Sequence, residues 1–306
     1  MASPQLVIVG SLGIDDIATP TDKRQNLLGG SVSYAGVAAS LFASSGAVAI
    51  AGTDFSQVLL RRLSVHGLDV QGIQIREGKT FRWSGVYSAN MIDRRTLSTE
   101  LGNSAGFSPD LPESYRDAPY LLLGNIQPEL QLHVLEQMQS LRFVSLDTMN
   151  LWIETARTSL LRVLERVTMV SVNDEEARML SGRWQLRDCA RAILDMGPRY
   201  VAIKKGEHGS LLFSRDGAIR IIPAYPVEAV ADPTGAGDSY AGAFMGRLAA
   251  MGSDGSNLGE LVEALLTGAV VSSFGVEAFG LDRLEALNLG EVEVRLSALK
   301  RMCALA

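Results

Sequence analysis

The chain of 306 residues holds only two cysteines, Cys189 and Cys303, far apart in sequence. That excludes a disulfide framework and lacks the spacing of a zinc site, so both read as reduced packing thiols. The three histidines, His66, His133 and His208, show no ligand spacing. Basic residues are not in excess: 28 Lys and Arg stand against 34 Asp and Glu, for a net charge of −6. Without a basic cluster, polymeric nucleic acid is not an expected partner, whereas a free nucleoside is compatible. No apolar run reads as long enough for a membrane span. The start, "MASPQLVIVGSLGIDD", has no basic segment ahead of its short apolar run. It reads as a first strand and not a signal peptide, and the expected compartment is the cytoplasm. There is no G-x-x-x-x-G-K-[ST] loop, and no G-x-G-x-x-G follows the first strand. The first absence excludes a P-loop enzyme and the second argues against a dinucleotide-dependent dehydrogenase.

What is present is a chain able to bury a core, with 47% hydrophobic and 20% charged residues. Short continuous apolar runs at 6–12, 48–53, 120–125, 143–148, 169–173 and 200–206 predict strands covered on both faces. Helical patterns at 31–45, 128–140, 152–166, 174–181 and 186–196 lie among them. This alternation predicts an α/β layered fold with a mostly parallel central sheet. "SLLFS" and "AIRIIPAY" predict a hairpin turning at Arg215-Asp216-Gly217. Helices at 235–251 and 257–275 and a helical tail from about 282 follow. Residues 70–100, with "VQGIQI" and "TFRWSGVYSA", read as paired strands forming a small separate sheet. Alternation puts Phe81, Trp83, Gly85 and Tyr87 on one face of it and Arg82, Ser84 and Val86 on the other. A face with three aromatics calls for a cover, either a bound acceptor or a second subunit.

The stretch "DPTGAGDSYAGAFMG" (232–246) sets glycines and two acids before an apolar helix. Small residues there let backbone N–H groups and the helix dipole converge on an anion. Asp238 at the rim is positioned as a base toward an alcohol attacking phosphorus, or as an N-cap alone. In "SVNDEEARML", Asn173 and Glu176 lie three apart at a strand end. That suits Mg²⁺ held through water, and equally an Asn N-cap with favourable acids. "KKGEHGSLLF" places Gly206 and Gly209 in a turn between strands, and "LLGGSVSYAG" opens a helix with Gly29-Gly30. Asp15, Asp16, Asn125, Asp147 and Asn173 fall at strand ends, where open α/β sheets bind ligands.

These motifs, in this order across nearly the whole chain, resemble the ribokinase-like (PfkB) carbohydrate kinases. The resemblance implies a three-layer sandwich in one domain over 1–306, with a β-sheet lid formed mainly by about 12–30 and 70–100. It implies ATP-dependent phosphorylation of a hydroxymethyl group on a sugar or sugar-like acceptor, or alternatively on a nucleoside. Asp238 would be the base, with Gly235, Ala236 and Gly237 forming the anion hole. Asn173, Lys205, Gly206, Gly209, Thr234 and Gly237 would serve the nucleotide. Asp15, Gly29, Gly30, Ser31, Tyr34, Trp83, Asn125 and Asp238 would meet the acceptor. Asn173 and Glu176 would hold Mg²⁺ through water, and Asp232 and Thr234 a monovalent cation, K⁺. A homodimer through the lid is a further implication. Pro233 replaces the family's usual Thr and stiffens the loop without touching the base. Ser31 and Tyr34 stand where ribokinases carry Lys and Asn, which argues against ribose. Tyr34, Trp83, Asn125, Asn150 and Trp152 make a more aromatic candidate pocket. A nucleotide-binding regulator without turnover is the reading of another class, and retention of Asp238, Asn173 and Glu176 speaks against it.

Overall fold

A computed structural model describes residues 3–303. Two sheets organise it. The larger is built from β1 (Leu6–Val9), β4 (Ser45–Gly52), β5 (Leu68–Arg76), β8 (Tyr120–Leu123), β9 (Phe143–Asp147), β10 (Met169–Asn173), β11 (Tyr200–Lys204), β12 (Ser210–Ser214) and β13 (Ile219–Ile222). Their spatial order is β13-β12-β11-β10-β9-β8-β1-β4-β5. β5 through β11 of that order run parallel, and β12 and β13 close one edge as the antiparallel hairpin read from the sequence. The smaller sheet, of order β3-β2-β6-β7, comprises β2 (Gly13–Ala18), β3 (Lys23–Gly29), β6 (Phe81–Tyr87) and β7 (Arg94–Glu100).

The continuous apolar strands have a direct cause. In β1, Leu6 and Ile8 enter one core while Val7 and Val9 enter the other. Side chains alternate along a strand, so a strand covered on both faces must be apolar at every position. One layer of helices comprises α1 (Ser31–Ser40), α2 (Gln57–Val65), α8 (Ala236–Ala250), α9 (Leu258–Gly275), α10 (Asp282–Glu285) and α11 (Leu289–Met302). The opposite layer comprises α3 (Pro128–Gln137), α4 (Asn150–Thr155), α5 (Arg157–Leu164), α6 (Asp174–Ser181) and α7 (Leu186–Leu194). This is the three-layer α/β arrangement expected, with its small second sheet.

Three expectations need correction. Residues 68–76 pair with β4 in the large sheet, and the small sheet takes the polar stretch 94–100 in their place. The run "VQGIQI" is equally compatible with either sheet, and only pairing chooses. The helix expected over 152–166 breaks at Ala156, whose φ of −129° ends α4 and starts α5. Finally, α9 is long and apolar enough to match a membrane span, which the sequence reading denied. Its apolar character has a packing cause, since 67% of it is buried inside the fold.

Candidate active site

The C-terminal ends of the parallel strands converge on the start of α8. Gly235, its N-cap, has φ 75°, and no side chain caps the helix. A Cβ at Gly235 would enter the Tyr34 ring, so only glycine fits both the backbone angle and the space. Among the described residues, the amides of Gly237 and Asp238 find no backbone partner outside the helix. An uncapped helix start with free N–H groups is an anion site by its own electrostatics. Asp238 lies in the first turn. Burial, and then the charge of Asp147, push its pKa up to about 7, against the pull of Lys204 and Arg94.

Asp15 faces the same space from β2, 4% exposed. Its carboxylate lies over Gly29, where any Cβ would collide with it. Burial, then the charges of Asp232, Asp238 and Asp16, raise its pKa to about 7, while Arg94 lowers it. Two buried carboxylates near neutrality, with the Asp238 charge adding to the rise at Asp15, mark a candidate site for proton handling.

Asp232 is fully buried. Its Oδ1 accepts from the Thr234 N–H at 2.9 Å and its Oδ2 from the Gly280 N–H at 3.0 Å. Among the described residues it forms no ion pair, and burial raises its pKa. A buried carboxylate with amides but no cationic side chain fits a small monovalent cation beside it. Asn173 and Glu176 form a reciprocal capping box on α6, each side chain accepting from the other's backbone N–H at 2.7 Å. The helix-cap reading is therefore realised. Glu176 is still buried at the site, and burial lifts its pKa to about 7 against the Lys204 charge. Among the described residues no group of three or more His, Cys, Asp or Glu is arranged to ligate a metal directly.

Gly206 and Gly209 flank a short turn after β11. Space is open around Gly206, while Gly209 lies against the Ile222 carbonyl. Lys205 belongs to this turn, its backbone N–H bonded to Gly209. It is the preceding residue, Lys204, that reaches the site. Gly30 caps α1 with φ 88°. Ser31 is buried, its Oγ accepting from the Ser11 N–H at 3.0 Å, so it ties α1 to the β1–β2 connection. Tyr34 is buried beneath Gly235, and its hydroxyl has no partner among the described residues. Tyr34 thus supports the Gly235 loop from below, and both side chains are almost fully buried in the fold. Asn125 accepts from Trp152 Nε1 at 2.8 Å and donates to Met149 Sδ at 3.0 Å, joining β8 to α4.

The aromatic face of β6 turns toward the site. Tyr87 Oη lies 3.0 Å from Thr234 Oγ1, and the Trp83 ring folds over Gly85. Arg82 is on the outer face, bonded to Asn26 at 2.7 Å. Sequence reading missed Arg94, which stacks 5.2 Å from the Trp83 ring centre and acts on Asp15, Asp238 and Tyr87. It sits in a polar stretch whose partner strand no local signal identifies.

The sequence pattern of the pfkB family carbohydrate kinases matches residues 6–285. A cytidine kinase of Thermococcus kodakarensis is 35% identical over 246 residues, 78% of this chain and 87% of that protein. In structure, the nucleoside kinase of Burkholderia thailandensis in complex with inosine superposes with a TM-score of 0.77 at 20% identity, covering 96% of this chain and 98% of that one. Ribokinase from Giardia lamblia gives 0.82 at 18% identity, with 97% and 99% covered. The chain belongs to the PfkB family of carbohydrate kinases and is an enzyme that phosphorylates a small-molecule alcohol.

Proposed function

We propose that this enzyme transfers the γ-phosphoryl group of ATP to the hydroxymethyl group of a nucleoside. One observation carries the phosphotransfer: Asp238 stands in the first turn of an uncapped helix, facing Asp15. In this reading Asp238 takes the hydroxyl proton while the alcohol oxygen bonds to the γ-phosphorus. The bond from that phosphorus to the β-phosphate oxygen breaks, and ADP leaves. The amides of Gly235 and Gly237 bind the transferring group, the Ala236 N–H being directed at the Pro233 carbonyl at 3.3 Å, and Asp15 and Asn125 hold acceptor hydroxyls. The β11–β12 turn, with Lys205, Gly206 and Gly209, and Thr234 serve the nucleotide. Mg²⁺, held through water near Asn173 and Glu176, supplies charge neutralisation to the phosphates when bound. Asp232 and the Thr234 carbonyl would hold K⁺, which would brace the loop. The small sheet acts as a lid of 13–29 and 81–100 that excludes water, its outer face being available to a second subunit. The reading places the enzyme in the cytoplasm.

A nucleoside is favoured over a free sugar by the wall of Trp83 and Arg94 on the inner face, which offers a base a stacking surface. The relative named cytidine kinase supports it. The sugar reading keeps Asp15 and Asn125 unchanged and leaves that wall idle. ADP release measured over a panel of nucleosides, ribose and fructose tests the choice. Turnover on at least one nucleoside should exceed that on either sugar; the reverse ranking returns the sugar reading. Repeating the best reaction with Mg²⁺ chelated, and with K⁺ replaced by a large organic cation, should abolish and slow it respectively.

A further inference from the structure

Lys204 stands among three carboxylates and takes no part in the assignments above. It ends β11, in register with Asn173 of β10, and reaches across to β9. Its Nζ lies 3.1 and 3.3 Å from the two oxygens of Asp147. The two side chains are only 19% and 12% exposed. Tyr200 and Ala202, on the same face of β11, belong to the apolar core, so an aliphatic residue would continue the pattern. A withdrawn ion pair is poor evidence for stability, because desolvation offsets the attraction. Its position gives another reason. A Cβ built on Gly237 would sit 3.4 Å from Lys204 Nζ, so the ammonium lies directly over the uncapped start of α8. The charges of Asp147, Glu176 and Asp238 hold its proton in place against burial.

We propose that Lys204 is a catalytic residue that contacts the terminal phosphate of the bound nucleotide, and that Asp147 is its positioning residue. The inference rests on the phosphotransfer reading. A phosphate seated on the Gly235 and Gly237 amides brings several negative charges beside the Asp238 carboxylate, and an ammonium between them screens that repulsion. A lysine on a flexible stem would otherwise collapse onto Asp238 and neutralise the base. Asp147, on the far side, holds it off.

Steady-state kinetics come first, with calorimetric binding of ADP and of a non-hydrolysable ATP analogue. Wild-type turnover is the initial reading; its absence overturns the phosphotransfer assignment and this one with it. Lys204→Met should lower kcat and analogue affinity by about 10- to 100-fold each, the range for one charged hydrogen bond, with ADP affinity nearly unchanged. Lys204→Arg should recover most of both. Asp147→Asn should lower kcat and shift the analogue-to-ADP affinity ratio in the same direction as Lys204→Met, by a smaller factor. The double variant Lys204→Met with Asp147→Leu removes both charges and guards against misfolding of the single one. It should melt close to wild type and share the Lys204→Met defects. Equal loss of ADP and analogue affinity, or wild-type kcat in the double variant, overturns the proposal.

Discussion

Asp238 shows how surroundings set the work of one carboxyl. Burial and Asp147 disfavour its charge, and Lys204 and Arg94 favour it; the balance lies at about 7. A base at that value is half available at neutral pH and still strong enough to accept an alcohol proton in flight. Asp238→Asn should therefore retain the fold and nucleotide binding yet lose roughly 100-fold or more in turnover, the usual range for a general base. A folded variant turning over near the wild-type rate would refute the assignment. Because the charged form is the active one, kcat/KM should climb as pH rises through about 7 and level off above it. A profile that is flat from pH 6 to 8 would mean that this proton is not on the rate-limiting path.

The small sheet is the element whose role depends most on geometry. β6 carries Trp83 and Tyr87 on one face, and Tyr87 touches Thr234 of the catalytic loop. The Trp83 indole N–H is tied to Thr96 Oγ1 at 3.2 Å, with Arg94 over the ring. The ring is thus fixed from β7 as well as from its own strand, and a fixed wall costs less entropy when a flat ligand docks. Trp83→Ala should weaken acceptor binding by about tenfold or more, the scale of one lost stacking contact with its buried area, and leave ATP affinity unchanged. Calorimetric titration of the acceptor decides it. Acceptor affinity equal to wild type would show that the aromatic face serves only to pack the sheet against the loop.

At the scale of the whole molecule, Asp15, Asp238 and Glu176 each have a pKa near 7, with burial the largest cause for each. In the unfolded chain such groups release their protons near pH 4. Between about 4 and 7 the native state holds protons that the unfolded state has lost, so stability falls as pH rises across that window. The ligand-free enzyme should accordingly melt at a higher temperature at pH 5.5 than at pH 8. Scanning calorimetry checks this, and a melting temperature that rises over that range would contradict the protonation pattern.

The amino-acid sequence by itself determined the layered fold and the glycine-opened helix start that carries Asp238. Both are written in neighbouring residues: apolar strands of four to eight residues, and glycines opening a helix beside Asp238. Tertiary structure alone decided the rest. Whether 68–76 or 94–100 joins the small sheet turns on which backbone groups meet across strands, which side-chain pattern does not encode. Lys204 and Lys205 differ by one position, and strand phase relative to a distant helix selects the one that reaches the site. Arg94 becomes a site residue only because β7 pairs with β6. Tyr34 became a support beneath the loop only when α1 packed against α8. Chemistry that needs one segment was legible in the chain; chemistry shared between segments had to wait for the contacts that bring them together.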